Sequence, residues 1–318
     1  MVTPELRSAV TSLAREAGRA TMTYYDTGVA AGVREKEDRS PVTLADEVAH
    51  DILVEGLRRI DPETPIVSEE AEADSFDRRR TWRRFWLGDP LDGTKEFIKR
   101  RAEFTVNVAL IEDGEPVLGV VLAPALDLLY WAVKGEGAWK EEQGSAPQRI
   151  YSRPAAPGTP LTVVESLSHP SPELEQYLQT IPVARRVKAG SSLKFCWVAE
   201  GRADIYPRLG PTMEWDVAAG DCVYRQSGPD GERHVAAGGL AGGSRDRPAP
   251  SRPEPARGPE GDLQQGHRQA GQHDLAELGR QAHLHHFVAA RELGQGRRRQ
   301  RAVRACVSLG RQGAEAGV

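Results

Sequence analysis

The sequence predicts an α/β protein with two folded halves, at residues 1–150 and 151–234, followed by a separate tail at residues 235–318. Three β-rich runs between residues 104 and 133 predict an antiparallel meander in the first half. Strand and helix patterns alternate from residue 161 onward, which is typical of a second α/β unit. The composition changes near residue 230, after which one aromatic residue and no lysine remain.

The first half begins with two predicted helices. Apolar residues recur at helical spacing over residues 4–26, with Pro4 at the start. A second helix follows a capping-box pattern from Thr43 to Asp46, and we expect a polar loop at residues 27–40 between the two helices. Strands are predicted at residues 65–67, 85–88, 104–111, 117–122 and 128–133.

The second half is separated from the first by a segment rich in Pro, Gly, Ser and Ala at residues 143–160, which we interpret as a linker. Beyond it, β-rich runs alternate with helical patterns. The predicted strands are residues 161–165, 186–189 and 203–206, and the predicted helices are residues 172–180, 191–199 and a segment from about residue 216.

The tail has a different composition from the rest of the chain. Of the 19 Phe, Trp and Tyr residues, only Phe287 follows residue 230, and the residues after 230 carry 14 basic and 9 acidic groups. So few large apolar groups cannot offset an ordering entropy of about 1–2 kcal/mol per residue, so we expect the tail to be mostly disordered. A reading-frame shift near residues 230–245 is our hypothesis for its origin, with a catalytically impaired product as one consequence.

Composition also excludes several classes of protein. The three cysteines, Cys196, Cys222 and Cys306, form neither a disulfide framework nor a paired zinc motif, and no apolar run is long enough to span a membrane. The N-terminus lacks a secretory pattern. These features predict a cytoplasmic protein, with peripheral association with the inner membrane as an alternative. The net charge of −4 argues against a dedicated nucleic-acid binder, although a non-catalytic protein whose basic tail binds nucleic acid stays an alternative.

Four carboxylates follow apolar strands or open a helix, where an unpaired charge would be costly. They are Glu69, Asp89, Asp92 and Asp216. Hard oxygen ligands of this kind suit Mg²⁺, and the Gly93–Thr94 turn after them can present backbone N–H groups to a phosphate. The pattern indicates metal-assisted phosphate hydrolysis. From spacing alone, surface or helix-capping acids are an equal alternative.

Two motifs resemble those of the inositol monophosphatase superfamily of lithium-sensitive, Mg²⁺-dependent phosphatases. The first is W-L-G-D-P-L-D-G-T at residues 86–94, and the second is E-W-D-V-A-A-G-D at residues 214–221. The segments T-K-E-F-I at 94–98, E-F-T-V-N at 103–107 and G-P-T-M-E-W-D at 210–216 are similar to the bacterial 3′(2′),5′-bisphosphate nucleotidase branch. The resemblance covers residues 1 to about 230 and implies a layered αβαβα fold.

The resemblance also implies roles for individual residues. The metal ligands would be the carboxylates of Glu69, Asp89, Asp92 and Asp216 and the carbonyl of Leu91, which together bind two or three Mg²⁺ ions. Asp46 and Thr94 would orient and deprotonate the attacking water, and the amides of Gly93 and Thr94 would hold the phosphate. Ser191 and Lys194 lie in a segment, G-S-S-L-K, that resembles a nucleotide-contacting segment of this branch.

The substrate prediction depends on Arg208. Inositol phosphatases commonly carry an acid near this position to bind sugar hydroxyls, whereas a guanidinium here suits a second phosphate. We therefore predict that a nucleotide bisphosphate, 3′-phosphoadenosine 5′-phosphate, is cleaved to AMP and phosphate by a monomer or homodimer. Solvent exposure of Arg208 is the structural alternative. Hydrolysis of inositol monophosphate or fructose 1,6-bisphosphate is the functional one.

Overall fold

The fold has two β-sheets with helices on their faces, and the computed structural model describes residues 1–27, 34–35, 41–71, 79, 81–153, 155, 158–169, 171–210, 212–228 and 287–290. The helices are α1 (Pro4–Thr27), α2 (Leu44–Ile60), α3 (Thr94–Ile98), α4 (Pro172–Leu178), α5 (Leu193–Ala199) and α6 (Glu214–Arg225). The strands are β1 (Arg34–Glu35), β2 (Pro41–Val42), β3 (Ile66–Ser68), β4 (Arg84–Asp92), β5 (Thr105–Glu112), β6 (Glu115–Ala123), β7 (Leu128–Val133), β8 (Gly137–Glu142), β9 (Gln148–Ile150), β10 (Leu161–Ser166), β11 (Val183–Ala189), β12 (Ile205–Arg208) and β13 (Phe287–Ala290).

The larger sheet has seven strands in the order β3-β4-β5-β6-β7-β8-β9. Strand β3 pairs with β4 in parallel, and the other neighbours pair antiparallel, so the predicted meander of β5, β6 and β7 is confirmed. Side chains alternate across this sheet, as the period of a strand requires. Val106, Val108 and Leu110 of β5 pack in one core cluster with α1 and α2, whereas Ala109 and Ile111 pack in another with α5 and α6.

Helix α6 lies very close to the sheet because small residues face it. A Cβ atom added at Gly119 of β6 would lie 2.5 Å from the carbonyl oxygen of Ala219 and 2.6 Å from Cβ of Cys222. The core cluster on this face contains residues of β4 to β9 and of α5, α6, β10 and β11. The halves predicted at residues 1–150 and 151–234 therefore share one core, and the domain boundaries stay a prediction.

The smaller sheet has four strands in the order β11-β10-β12-β13. Val164 of β10 packs towards α5 and α6, while Val163 and Leu161 pack on the other face against Leu174 and Leu178 of α4. The succession is α1 and α2, large sheet, α5 and α6, small sheet, α4. This confirms the predicted αβαβα arrangement. No helix in the described part of the chain is both long and apolar enough to cross a membrane.

Three parts of the prediction need correction or fall outside the described residues. Strand β9 lies inside the segment predicted as a linker, and β8 was not predicted, because both strands are short and carry many polar residues. Residues 34–35 of the predicted loop form β1, and the rest of that loop, apart from residue 27, lies outside the described residues. In the tail, Phe287–Ala290 form β13, antiparallel to β12, which the prediction of disorder did not include. The remaining tail residues lie outside the described part.

Candidate active site

A cavity of about 240 Å³ lies where the two sheets and the starts of α3, α5 and α6 meet. Both halves of the chain contribute to its wall. The lining residues are Glu69, Leu91, Asp92, Gly93, Thr94, Lys95, Glu96, Ser166, His169, Gly190, Ser191, Lys194, Phe195, Tyr206, Arg208, Thr212, Asp216 and Val217. Most of the site residues predicted from the sequence are in this wall, and Asp46 and Asp89 lie behind it.

The end of β4 positions two of the predicted carboxylates. Asp89 pairs with Asn107 and Asp92 with Thr105, so β4 has one more residue than β5 over this stretch and forms a bulge. The strand then turns into α3 at Gly93, whose φ of 94° is in the left-handed region that glycine adopts without strain. The bulge and the turn bring Leu91, Asp92 and Gly93 together in the cavity wall.

Three carboxylates converge at the acidic end of the cavity. One carboxylate oxygen from each of Glu69, Asp89 and Asp216 lies within 4.8 Å of the others. Glu69 directly follows β3, and Asp216 is in the first turn of α6, where its Oδ2 accepts hydrogen bonds from the Met213 amide and the Thr212 hydroxyl at 3.0 Å each. Such close like charges require a cation or protonation to be stable.

Burial makes this acidic group costly to ionise. Asp89 is 1% exposed, and its Oδ2 has no hydrogen-bond partner among the described residues. Burial, reinforced by the negative charges of Glu69, Asp92 and Asp216, raises the pKa of Asp89 well above its ordinary range. Burial and then the charge of Asp92 raise the pKa of Asp216 to about 7. An unpartnered buried carboxylate oxygen beside two further carboxylates fits a hard divalent cation such as Mg²⁺.

Asp92 lines the same cavity but is not a member of this group of three. Its Oδ2 lies 2.9 Å from the Ser192 hydroxyl and 3.5 Å from both Asn107 Nδ2 and Thr105 Oγ1. The structure therefore brings three of the four predicted carboxylates within 4.8 Å of one another and places the fourth beside them, hydrogen-bonded to the second half of the chain.

Asp46 and Thr94 form the predicted pair. The Thr94 hydroxyl lies 3.2 Å from Asp46 Oδ1 and 3.4 Å from the Leu91 carbonyl. The capping box of α2 occupies the other oxygen of Asp46, which accepts from the Thr43 amide at 2.7 Å and from the Thr43 hydroxyl at 2.6 Å. Asp46 is 2% exposed, and this burial raises its pKa. The helix cap thus leaves Oδ1 directed to Thr94.

Three cations, Lys95, Lys194 and Arg208, also line the cavity. Lys194 is buried, donates to the Ser191 carbonyl and lies 5.3 Å from the centre of the Tyr206 ring, and burial lowers its pKa to about 8. Arg208 is half-buried and also lines the cavity, and its role in substrate binding stays a prediction. Its charge contributes to the lowered pKa of Lys194, after the larger effect of burial.

Sequence reasoning missed a further basic pair at the cavity rim. Lys95 Nζ lies 3.3 Å from His169 Nε2, and His169 Nδ1 lies 3.3 Å from the Ser166 hydroxyl. Partial burial and the charges of Lys95 and Arg208 lower the pKa of His169. Lys95 belongs to the T-K-E-F-I motif, and Ser166 is the last residue of β10. The polar residues that follow this predicted strand were the signal by which the pair could have been found.

Comparisons with known proteins agree with this geometry. The sequence profile of the inositol monophosphatase family matches residues 3–251, beyond the position near 230 at which we expected the resemblance to stop. The chain is 52% identical over 219 residues to the 3′(2′),5′-bisphosphate nucleotidase CysQ of Salmonella typhimurium, covering 69% of this chain and 87% of the relative. For the enzyme of that name from Escherichia coli K12 the identity is 51% over the same shares.

A solved structure is also similar. The crystal structure of CysQ from Bacteroides thetaiotaomicron, a bacterial member of the inositol monophosphatase family, matches with a TM-score of 0.60 at 38% identity. The match covers 70% of this chain and 86% of that one.

Proposed function

The chain belongs to the inositol monophosphatase family, and on that premise we propose that it is a Mg²⁺-dependent 3′(2′),5′-bisphosphate nucleotidase. Its substrate is 3′-phosphoadenosine 5′-phosphate, which it hydrolyses to AMP and phosphate. The observation that carries this proposal is the cavity itself, whose wall holds carboxylates together with the cations Lys95, Lys194 and Arg208. A substrate with two phosphates can use both the carboxylate-bound metal and the cations. The CysQ relatives support the same activity.

The acidic end is the proposed Mg²⁺ site. Its ligands are the carboxylates of Glu69, Asp89, Asp92 and Asp216 and the carbonyl of Leu91, for the predicted two or three ions. The convergence of three carboxylates and the unpartnered Oδ2 of Asp89 support this assignment. Bound Mg²⁺ supplies activation of a water molecule and neutralisation of the charge that develops on the phosphate.

Asp46 and Thr94 orient the attacking water and take its proton. Because Thr94 donates its hydroxyl hydrogen to Asp46 Oδ1, the lone pairs of Thr94 Oγ1 are left to accept from the water. When the water attacks phosphorus, its proton passes to Thr94 Oγ1 as the Thr94 hydrogen moves to Asp46. The raised pKa of Asp46 makes its carboxylate a stronger base than an exposed aspartate.

The phosphate that is cleaved lies at the Gly93–Thr94 turn, whose first-turn amides have no partner within the helix. The second phosphate of the substrate lies against the cations of the cavity wall. Lys194 and Arg208 supply its charge neutralisation, and Arg208 can present two N–H groups to two phosphate oxygens. Ser191, whose φ of 45° is unusual for a residue other than glycine, contributes its hydroxyl from the cavity wall.

The predicted alternatives are not favoured by the comparisons. Inositol monophosphate and fructose 1,6-bisphosphate are the substrates with which the nucleotide is compared in the test below. A catalytically impaired frameshift product and a nucleic-acid-binding tail concern residues that lie mostly outside the described part of the chain.

The test compares kcat/KM of the purified full chain for the bisphosphate nucleotide, inositol 1-phosphate and fructose 1,6-bisphosphate under Mg²⁺, with and without lithium. We expect the nucleotide to be preferred by at least about tenfold, or about 1.4 kcal/mol of transition-state binding. Arg208→Gln should lower this preference, whereas Arg185→Gln, which removes the same charge from an exposed position on β11, should not. A tenfold preference for inositol phosphate would overturn the proposal.

A further inference from the structure

Ser192 connects four elements at the acidic end of the cavity. It is the N-cap residue of α5 and is 1% exposed. Its hydroxyl oxygen lies 2.9 Å from Asp92 Oδ2 at the end of β4, 2.8 Å from the Asp216 carbonyl in α6 and 2.9 Å from Asn107 Nδ2 in β5. A single buried hydroxyl thus joins a carboxylate of the first half to the backbone of the second.

The directions of these hydrogen bonds follow from the groups involved. The Asn107 amide nitrogen can only donate, so the Ser192 oxygen accepts from it. The one hydrogen of the hydroxyl then goes either to Asp92 or to the Asp216 carbonyl. A carboxylate is the stronger acceptor, and a hydrogen bond to a charged group is about twice as strong as a neutral one, so Asp92 is favoured.

The hydrogen bonds that Asp92 makes with other described residues fall on one oxygen. Ser192 donates to Oδ2, and Asn107 Nδ2 and Thr105 Oγ1 lie 3.5 Å from the same atom. Donors gathered around Oδ2 fix the rotamer of the carboxylate and leave Oδ1 as the oxygen that can bind a cation. Asn107 is itself held firmly, since it is 1% exposed and is paired with Asp89 across β4 and β5.

We propose that Ser192 and Asn107 are positioning residues that hold Asp92 in its metal-binding orientation across the junction of the two halves. The inference rests on the proposed metal site. Neither residue is among those that line the cavity, and both act through Asp92. Partners of this kind change metal affinity or activity by about 10- to 100-fold when they are removed.

The first test measures binding of Mg²⁺ alone, by calorimetric titration of the full chain. Ser192→Ala should weaken binding by about 10- to 100-fold, and each tenfold corresponds to about 1.4 kcal/mol. Ser192→Thr keeps the hydroxyl and should restore most of the affinity. Ser227→Ala is the matched control, because Ser227 is fully buried and its hydroxyl donates to the Tyr224 carbonyl at 2.7 Å, outside the cavity.

The second test uses Asn107→Leu, which keeps the approximate volume and removes the donor. It should also weaken Mg²⁺ binding. The double variant with Ser192→Ala should lose less binding free energy than the sum of the two single losses, since the residues act in one network. If Ser192→Ala does not fold, Ser192→Cys, which retains a weak donor, is used for the titration.

Mg²⁺ affinities of Ser192→Ala and Asn107→Leu equal to that of Ser227→Ala would overturn the inference. Because the titration contains no substrate, this outcome is distinct from failure of the nucleotidase proposal. If only that proposal failed, the variants would still weaken Mg²⁺ binding, but the enzyme would prefer another substrate.

Discussion

Gly190 lies directly against Glu103, and replacing it with alanine should disturb the site without removing any functional group. A Cβ atom at this position would lie 2.4 Å from the Glu103 carbonyl oxygen and 3.0 Å from Cβ of Glu103. The Gly190 amide also donates to Glu103 Oε2 at 3.0 Å, so the two segments are already in contact. Normal van der Waals contact begins near 3.4 Å, so the loop would have to withdraw by about 1 Å.

The consequence can be estimated for stability and for activity. Overpacking of this kind costs about 1–3 kcal/mol, and each kcal/mol lowers Tm by about 2–4 °C in a protein of this size. Ser192 is two residues further along the loop, and its hydroxyl is 2.9 Å from Asp92, so a shift of 1 Å would bring this contact beyond hydrogen-bonding distance. Misplacement by about 1 Å can cost about 100-fold in rate.

The assay measures kcat/KM for the bisphosphate nucleotide, Mg²⁺ affinity by calorimetry and Tm for Gly190→Ala. Gly210→Ala is the control, because a Cβ atom there meets no described residue within 4 Å. We expect Gly190→Ala to lose about 100-fold in kcat/KM and to bind Mg²⁺ more weakly, with the control close to wild type. If Gly190→Ala matches Gly210→Ala in all three measurements, the close contact does not position the site and the reasoning is refuted.

Three further predictions concern the chemistry of the cavity. Asp46→Asn should lower kcat by about 100- to 10,000-fold, because in the proposed mechanism Asp46 and Thr94 take the proton of the attacking water. The Mg²⁺ affinity measured by calorimetry should stay the same. An unchanged kcat would contradict this role. Burial lowers the pKa of Lys194 to about 8, so kcat/KM should fall as the pH rises above about 8 and the ammonium is lost. Lys194→Arg should remove that fall, and a flat wild-type profile would argue against the role of Lys194. The raised pKa values of Asp89 and Asp216 contribute stability to the metal-free protein at low pH, and the contribution of Asp216 is lost as the pH rises through its pKa of about 7. Mg²⁺ should therefore raise Tm more at pH 8 than at pH 6, and equal increases in scanning calorimetry would show that these carboxylates do not hold the metal.

The sequence contained strong local signals for parts of this structure. The capping box at Thr43 and Asp46, the alternating apolar residues of β5 and the D-P-L-D-G-T turn depend on residues close together in the chain. Such features can be predicted because backbone geometry fixes their periods and their caps. The motif resemblance then assigned Asp46, Thr94 and the carboxylates to one site, which spacing alone left open.

What the sequence did not reveal depends on contacts between distant segments. Ser192 and Asp92 are 100 positions apart, and no local pattern indicates that a helix cap and a strand end will share a hydrogen bond. The pair of Lys95 and His169 spans 74 positions in the same way. Strand β13 was not predicted for a related reason. It pairs with β12, a distant segment, and the amino-acid composition of the tail does not indicate this pairing.

The division of the charged residues between the two halves of the chain explains why the halves must meet accurately. The first half supplies Glu69, Asp89 and Asp92, which repel one another, while the second supplies both Asp216 and the cation Lys194. Burying an unpartnered carboxylate oxygen at Asp89 is unfavourable in the metal-free protein, and the shared core around α5 and α6 must outweigh that cost. A cation bound at the proposed site would remove this repulsion and would link both halves through the same ligands. Metal affinity should therefore respond to any change that loosens the junction, including changes that touch no ligand, because the free energy of binding includes the work of holding the carboxylates together.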